Sequence, residues 1–403
     1  MMKVIMCANL TYKPIIGGVE NSLHYMSQSA LEMGYESVIY VSDLSKNKNE
    51  RLPLFERNNR IYIYRFRKIH TVNLLFFLDS VLAVYSAWIG YRQLKKKYGK
   101  NVRIVARHHI MVCAAILAGM ENVAYLVPSM VKGLNDRRRE GLSFKERFKE
   151  WLLINMNIRL DVWLQNIAFN RCADCFAFSL NMKYQIGKLV RRRTISVVKP
   201  GVDTNVFKFD PENRWKSKIE RGFENTFIFL CLGRIIEAKG FSDVILAYDN
   251  LPDEVKRKSK VLIVGDGPDK PRLVKIVKEK KLIDRILFFD ATSYPYEFYN
   301  LSDCFMMTSR YEAFGQTLLE AMSCGLPVVG YKSDGNNILT ATNELVIEGE
   351  NGLLCAFDVL ELSNSMATIC NKSNDELEKF ALSNIDRMKY EFNWERLIDD
   401  TYA

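Results

Sequence analysis

The 403-residue chain predicts two doubly wound α/β domains in tandem. Strand-like apolar runs alternate with longer helical stretches twice over, the pattern of parallel sheets joined by crossover helices. The length exceeds the range in which one hydrophobic core keeps growing, and 48% hydrophobic residues are enough to fill two. A polar stretch from Lys208 to Asn225 lies between the two series.

The first series runs through Lys3 to Ala8, Ser37 to Val41, Ile61 to Phe66, Val102 to Ala106, Val123 to Val127, Cys175 to Ser179 and Ile195 to Val198. These runs are rich in β-branched and aromatic residues, which suit a pleated, buried surface. The second runs through Phe227 to Leu232, Val261 to Val264, Ile286 to Phe289, Cys304 to Thr308, Pro327 to Tyr331 and Gly352 to Cys355, with helices expected over Gly240 to Tyr248 and Pro271 to Lys281. Residues 1–205 are expected to form the first domain, residues 206–385 the second, and residues 386–403 a last helix packing back toward the first. No internal repeat or low-complexity tract interrupts the pattern.

Met1 to Ala8 is too short an apolar run for a signal peptide, so the N-terminus is expected to be retained. Nine cysteines, an odd number in apolar contexts, suggest reduced core thiols in a cytoplasmic protein. Cys172 and Cys175 form a Cys-x-x-Cys without a second pair or nearby histidines, so they read as buried structural residues rather than a metal or redox site.

Charge is uneven. Residues 1–200 hold 32 Lys and Arg against 14 Asp and Glu, a balance of +18, and the remainder carries −8. Clusters at Arg65 to Lys68, Lys95 to Lys97, Arg137 to Arg139 and Arg191 to Arg193 suit anionic lipid headgroups. A weak contact with an anionic membrane through the first domain is expected, peripheral and on the inner face of the plasma membrane. Without a recognised nucleic-acid module, no nucleic-acid partner is expected. Val72 to Tyr91 is nearly all apolar and long enough to span a bilayer. A span would place the flanking strands Ile61 to Phe66 and Val102 to Ala106 on opposite sides of the membrane. A core helix is therefore expected, with a helix lying in the membrane interface as the alternative.

The chemistry concentrates in Ser309-Arg310-Tyr311-Glu312-Ala313-Phe314-Gly315-Gln316-Thr317-Leu318-Leu319-Glu320-Ala321-Met322-Ser323-Cys324-Gly325-Leu326-Pro327-Val328-Val329. Gly315 permits a tight turn into a helix whose first N–H groups and positive dipole end suit an anion. Glu312 before the turn and Glu320 within the helix can accept hydrogen bonds from hydroxyls on either side of that anion. A diphosphate flanked by hydroxylated groups is a nucleotide sugar.

Two glutamates separated by seven residues, with Phe-Gly between them and Glu-Ala-Met-x-x-Gly-x-Pro-Val-Val after, resemble the donor-site signature of the family-4 retaining glycosyltransferases, the glycosyl transferases group 1. Gly17-Gly18-Val19-Glu20, Val197-Val198-Lys199-Pro200-Gly201-Val202-Asp203, Leu232-Gly233-Arg234 with Lys239-Gly240, and Phe392-Asn393-Trp394-Glu395 agree in order. The resemblance implies a GT-B fold, two Rossmann-like domains facing across a cleft, with an acceptor-side first domain and a donor-binding second. It also implies a retaining, metal-independent hexosyltransferase without a cofactor, in which a nucleoside diphosphate sugar is the co-substrate and a glycan, lipid-linked if the basic half is a guide, is the acceptor. The setting expected is bacterial cell-surface polysaccharide or lipopolysaccharide assembly. Donor contacts are expected from Gly17, Gly18, Arg234, Lys239, Glu312, Phe314, Gly315, Gln316, Thr317 and Glu320, with catalytic roles for Arg234, Lys239, Glu312 and His109. Arg234 and Lys239 would neutralise the diphosphate, Glu312 hold the donor sugar and Glu320 the ribose. The Gly265-Asp266-Gly267-Pro268 turn is expected to border this site.

The chain departs from the family pattern where a histidine near the reacting sugar is usual. That neighbourhood reads Tyr125-Leu126-Val127-Pro128-Ser129, so His109 or Ser129 would have to substitute, with a structural histidine left open; Pro200 also stands where Asn is frequent. A nucleotide-sugar epimerase or a non-catalytic nucleotide-sugar-binding subunit are the alternatives. A dinucleotide dehydrogenase is disfavoured because no Gly-x-Gly-x-x-Gly follows the first strand.

Overall fold

A computed structural model describes the chain except residues 1–2, 14–16, 46–49, 70–77, 132–143, 191–193 and 403. It divides into two compact α/β units, residues 1–201 with 394–403, and residues 202–393.

In the first unit the elements are β1 (Val4–Ala8), α1 (Gly18–Glu32), β2 (Glu36–Ser42), β3 (Phe55–Asn58), β4 (Ile61–Phe66), α2 (Asp79–Tyr98), β5 (Arg103–Ala106), α3 (His109–Leu117), β6 (Val123–Val127), α4 (Phe144–Arg171), β7 (Asp174–Ala177), α5 (Leu180–Gly187) and β8 (Ser196–Val197). The strands pair in the order β3-β4-β2-β1-β5-β6-β7-β8, all parallel except the β3–β4 hairpin. β1 and β6 are continuous apolar runs because helices cover both faces of the central strands. β3 has no counterpart in the sequence reading: all four residues of Phe-Glu-Arg-Asn are exposed, with no alternation. Asn59 and Arg60 turn the chain with φ of 49° and 86°, the left-handed pair that a two-residue hairpin requires.

α2 contains the part of the apolar stretch that lies within the described residues; 72–77 fall outside them, as do Arg137 to Arg139 and Arg191 to Arg193. Its inner face buries Ala83, Val84, Ala87, Tyr91 and Leu94. Val81, Tyr85 and Ile89 face outward. No helix among the described residues is long and apolar enough to cross a membrane. The lysines at its end are not one cluster. Lys95 donates to the Ala118 carbonyl at 3.1 Å, Lys97 sits over the rings of Tyr62, Tyr64 and Tyr98, and Lys96 is exposed. Arg65 is likewise committed, to Glu56 at 2.8 Å.

The second unit contains α6 (Pro211–Glu220), β9 (Phe227–Leu232), α7 (Phe241–Asp249), α8 (Asp253–Lys258), β10 (Ser259–Val264), α9 (Lys270–Glu279), β11 (Ile286–Phe289), α10 (Pro295–Leu301), β12 (Cys304–Met307), α11 (Gln316–Ser323), β13 (Val328–Tyr331), α12 (Thr342–Leu345), β14 (Gly352–Cys355), α13 (Val359–Cys370) and α14 (Asn374–Glu391). Its all-parallel sheet runs β11-β10-β9-β12-β13-β14. The polar stretch Lys208 to Asn225 folds as α6, with Asp210 as N-cap and Pro211 at its first position, and the division between units falls at Gly201–Val202. After α14, α15 (Trp394–Tyr402) joins the first unit, where Trp394 stacks on Tyr25 at 5.8 Å and Arg103 donates to the Thr401 carbonyl at 2.8 Å.

α6 is pinned to the second sheet by Asp303, which pairs with Arg214 and, at 2.7 Å, with Lys218, and accepts the Ile228 N–H at 2.8 Å. Both Lys218 and Asp303 are largely buried. Removing the carboxylate would leave two cations without their partner in a poorly solvated place. Asp303→Ala is therefore expected to destabilise the second unit by about 3 kcal/mol, read as a lower urea midpoint of its unfolding transition.

Candidate functional site

In an open parallel sheet, the crevice for ligands opens beyond the strand ends where the strand order reverses. In the second unit the chain proceeds from β9 outward to β10 and β11, then jumps to β12 on the other side, so that point lies between β9 and β12. The loops that meet there carry the residues singled out from sequence.

After β9, Gly233 (φ 145°) leads to Arg234, whose side chain is exposed and makes no ion pair among the described residues. The loop then forms a 3-10 turn, Glu237–Lys239. Gly240 follows with φ 67°, and a Cβ there would meet the Thr308 carbonyl oxygen at 2.2 Å. Only glycine permits this approach. Thr308 returns a hydrogen bond, its hydroxyl donating to the Lys239 carbonyl at 3.0 Å. The loop after β10 packs as closely: a Cβ on Gly267 would lie 2.1 Å from the Ile235 carbonyl oxygen, and Ile235 N–H donates to the Asp266 carbonyl at 2.9 Å. The Gly-Asp-Gly-Pro turn thus supports the Arg234 loop from behind.

Beyond β12, Arg310 N–H donates to the Ala238 carbonyl at 2.8 Å, Leu339 N–H to the Arg310 carbonyl at 2.7 Å, and Glu312 N–H to the Leu339 carbonyl at 3.1 Å. These bonds hold Glu312 against the 3-10 turn, and its carboxylate pairs with the Lys239 ammonium. Gly315 (φ 96°, ψ 74°) then starts α11, with Gln316 and Thr317 half-exposed in the first turn. Phe314 is buried instead, its ring 5.8 Å from that of Phe392.

Glu320 is only 8% exposed and accepts the Tyr299 hydroxyl at 2.8 Å. Burial pushes its pKa up to about 7, partly offset by that hydrogen bond. Tyr299, from α10, has no sequence motif around it, and neither does Asp243 of α7, which receives Arg310 at 3.4 Å. Sequence spacing cannot find such partners because they come from distant segments.

The first unit has an analogous switch point between β1 and β5. Gly17 is the N-cap of α1 and Gly18 its first residue. With φ −161°, Gly17 is in extended backbone that any residue adopts. A concave pocket of about 240 Å³ at these strand ends is lined by Thr11, Glu20, Arg107, His108, His109 and Ser129, among others. His109 is the first residue of α3, 6% exposed, with Nε2 3.5 Å from the Asp161 carboxylate of α4. His108 is the more open of the two, and their rings stack at 4.4 Å. Among the described residues no group of three or more His, Cys, Asp or Glu is placed to hold a metal, and all nine cysteines are free and buried.

Residues 213–382 match the family model described as Glycosyl transferases group 1. The Anabaena protein Alr3699/HepE, solved in complex with UDP and glucose, superimposes with a TM-score of 0.72 over 100% of this chain and 99% of that one, at 20% identity. This chain has a GT-B-type fold and is related to the group 1 glycosyl transferases. It is similar to N-acetyl-alpha-D-glucosaminyl L-malate synthase of Bacillus anthracis, 32% identical over 170 residues that cover 40% of this chain and 42% of that protein. It also resembles the O-antigen biosynthesis glycosyltransferase WclY of Escherichia coli, 39% identical over 74 residues, 18% of this chain and 21% of that one. The matched segments span between 21% and 60% of the lengths of these and the next curated relatives.

The Glu320 environment has a measurable consequence. Its folded pKa, about 7, lies above the ordinary 4.5, so between those values the folded chain binds a proton that the unfolded chain has released. The resulting stability is fully present below about pH 4.5 and is lost as pH rises through about 7, at most about 3 kcal/mol. Thermal melts of the ligand-free protein from pH 5 to 8 are expected to show this decline, and Glu320→Gln is expected to flatten it. An unchanged slope in that variant would assign the decline to other groups.

Proposed function

We propose that the protein is a retaining, metal-independent glycosyltransferase that moves a sugar from a nucleoside diphosphate sugar to an acceptor hydroxyl in bacterial surface-polysaccharide assembly. One observation carries the reading: Arg234, the Lys239–Glu312 pair, the start of α11 and buried Glu320 converge at one topological switch point. The relatives' printed activities support the reaction class and the setting.

In this reading the diphosphate lies at the N-terminus of α11, where backbone N–H groups and the helix dipole favour negative charge. Arg234 is open to it. Lys239 has three N–H donors and gives one to Glu312, so two remain for phosphate oxygens. Together they take up the charge that develops as the bond from the sugar to the phosphate breaks. The acceptor oxygen bonds to the anomeric carbon on the face that the diphosphate leaves, and its proton passes to the departing phosphate oxygen. Glu312 orients the hydroxyls of the donor sugar, and Glu320, ionised, accepts those of the ribose. The cations supply the neutralisation that a divalent ion would otherwise give.

Calorimetry with UDP and GDP, followed by turnover with the matching nucleotide sugar, tests the assignments. Arg234→Ala and Lys239→Ala are each expected to lower kcat/KM about 10²-fold, roughly 2.7 kcal/mol of charge stabilisation. Glu320→Gln should weaken binding of the free nucleotide, whereas Glu312→Gln should weaken it less and chiefly impair transfer. Release of nucleoside diphosphate should require an acceptor. Equal loss of nucleotide affinity in both glutamate variants, or normal turnover in both cation variants, would refute these roles.

We further propose that the exposed face of α2 rests on an anionic membrane that presents a lipid-linked acceptor. Val81, Tyr85 and Ile89 are 42%, 51% and 42% exposed, Arg92 lies over the Trp88 ring at 5.0 Å, and Lys96 extends the same face. Apolar and aromatic groups followed by cations suit the headgroup boundary. Sedimentation with acidic vesicles should show binding that falls with salt, and Arg92→Gln with Lys96→Gln should weaken it by up to about 2 kcal/mol. Equal binding to neutral vesicles, or no binding to either, would reject this contact.

A further inference from the structure

The pocket at the β1/β5 switch point contains a buried cation whose hydrogen bonds are incomplete among the described residues. Arg107 is 4% exposed. Its Nη1 donates to the Ser22 hydroxyl at 2.5 Å, and its guanidinium carbon lies 4.9 Å from the centre of the Phe178 ring. Nε is buried without a hydrogen-bond partner among the described residues, and Nη2 makes no hydrogen bond to them either. Burial lowers its pKa to about 10, so the group is still charged at neutral pH. A desolvated guanidinium with unpaired N–H groups is unfavourable unless something else occupies them.

His108 adds a donor of fixed position. Its Nδ1 accepts the Ile110 N–H at 3.2 Å as the cap of α3, which leaves the ring proton on Nε2. Burial, with His109 and Lys68 nearby, holds its pKa well below the usual value, so the ring is neutral and Nε2 can donate but not accept. Glu20, which lines the same pocket and whose charge acts on Arg107, accepts the Thr11 hydroxyl through Oε1 at 2.5 Å, and no hydrogen bond to Oε2 is present among the described residues. Cationic and neutral donors together with a carboxylate oxygen that has no hydrogen-bond partner among the described residues suit a ligand with an anionic group and a hydroxyl close to it.

We propose that this pocket binds a hydroxylated phosphate ester or carboxylate, its anion on Arg107 Nη2 and His108 Nε2–H and its hydroxyl donating to Glu20 Oε2. The volume of about 240 Å³ admits an anionic headgroup and the atoms next to it. The site lies in the first unit, on different residues from the Glu312 site, and does not depend on the roles given to that site. The anion can come from an acceptor or from the phosphates of the nucleotide; the chemistry is the same.

The chain has four histidines, so the ring signals of the ¹⁵N-histidine-labelled protein can be assigned with a His108→Gln variant. Titration with inorganic phosphate and with glycerol 3-phosphate is expected to move the His108 Nε2 signal saturably, glycerol 3-phosphate at lower concentration, with the His24 signal unchanged. Arg107→Gln should weaken this at least tenfold and Arg107→Lys less. If UDP alone produces the shift and then blocks the phosphate response, the anion is the nucleotide's. If glycerol 3-phosphate still acts on UDP-saturated protein, it belongs to the other substrate. A wild-type His108 signal that moves with neither phosphate nor UDP overturns the proposal without any variant, as does an undiminished response in folded Arg107→Gln.

Discussion

The contact of Gly240 with the Thr308 carbonyl joins the loops that follow β9 and β12, and the geometry of the Glu312 site depends on it. A Cβ on Gly240 would come within 2.2 Å of that oxygen, so the 3-10 turn can lie against the end of β12 only because the side chain is missing. That approach lets the Thr308 hydroxyl reach the Lys239 carbonyl and Arg310 N–H reach Ala238. Two loops that leave different strands are thereby tied together, and Lys239 meets Glu312 as a consequence. Arg310 reinforces the seam from the solvent side, reaching Asp243 at 3.4 Å while its guanidinium covers the Phe357 ring at 5.2 Å. Preorganisation of this kind matters for electrostatic catalysis, because charges already in place need not be reoriented during the reaction.

Much of this was legible in the sequence for a local reason. Parallel strands covered on both faces must be apolar throughout, so runs such as Phe227 to Leu232 and Val123 to Val127 announce themselves. Gly315 was legible because a tight turn next to a polar motif leaves glycine as the residue of choice, and Gly233 and Gly240 were legible as parts of motifs that carry the resemblance. β3 was not, because its stability comes from pairing with Tyr62 and its neighbours rather than from its own pattern. Tyr299, Asp243 and Leu339 were not, because each is defined by a partner far along the chain: Tyr299 meets Glu320 across 21 positions and Asp243 meets Arg310 across 67. The Lys95 to Lys97 run shows the limit of reading charge linearly: on a helix, three consecutive residues point in three directions, and only Lys96 remains exposed without a partner among the described residues.

The two histidines illustrate the same limit in chemistry. Sequence position singled out His109 as a substitute for the family's missing residue. The structure gives it a buried ring at the start of α3 facing Asp161, while His108 carries the hydrogen bond that defines a tautomer. A histidine whose Nδ1 caps a helix has surrendered its basic nitrogen to the backbone. As a neutral ring it can orient or polarise a ligand through Nε2–H, but it cannot accept a proton there.

The pairing of Lys239 with Glu312 beside an Arg234 that makes no ion pair among the described residues follows from solvation. Lys239 and Glu312 are 17% and 24% exposed, whereas Arg234 is open to water. A partly desolvated ammonium without a counter-ion would lose hydration that no protein group replaces, and the carboxylate offsets that loss. The exposed guanidinium needs no such partner, because water solvates it. Arg234 therefore contributes charge that is free to engage, while the lysine contributes directed donors whose position the glutamate fixes. An anion held by both would meet one adaptable cation and one rigid one, and the rigid one is the group that transmits the placement of Glu312 to the rest of the ligand.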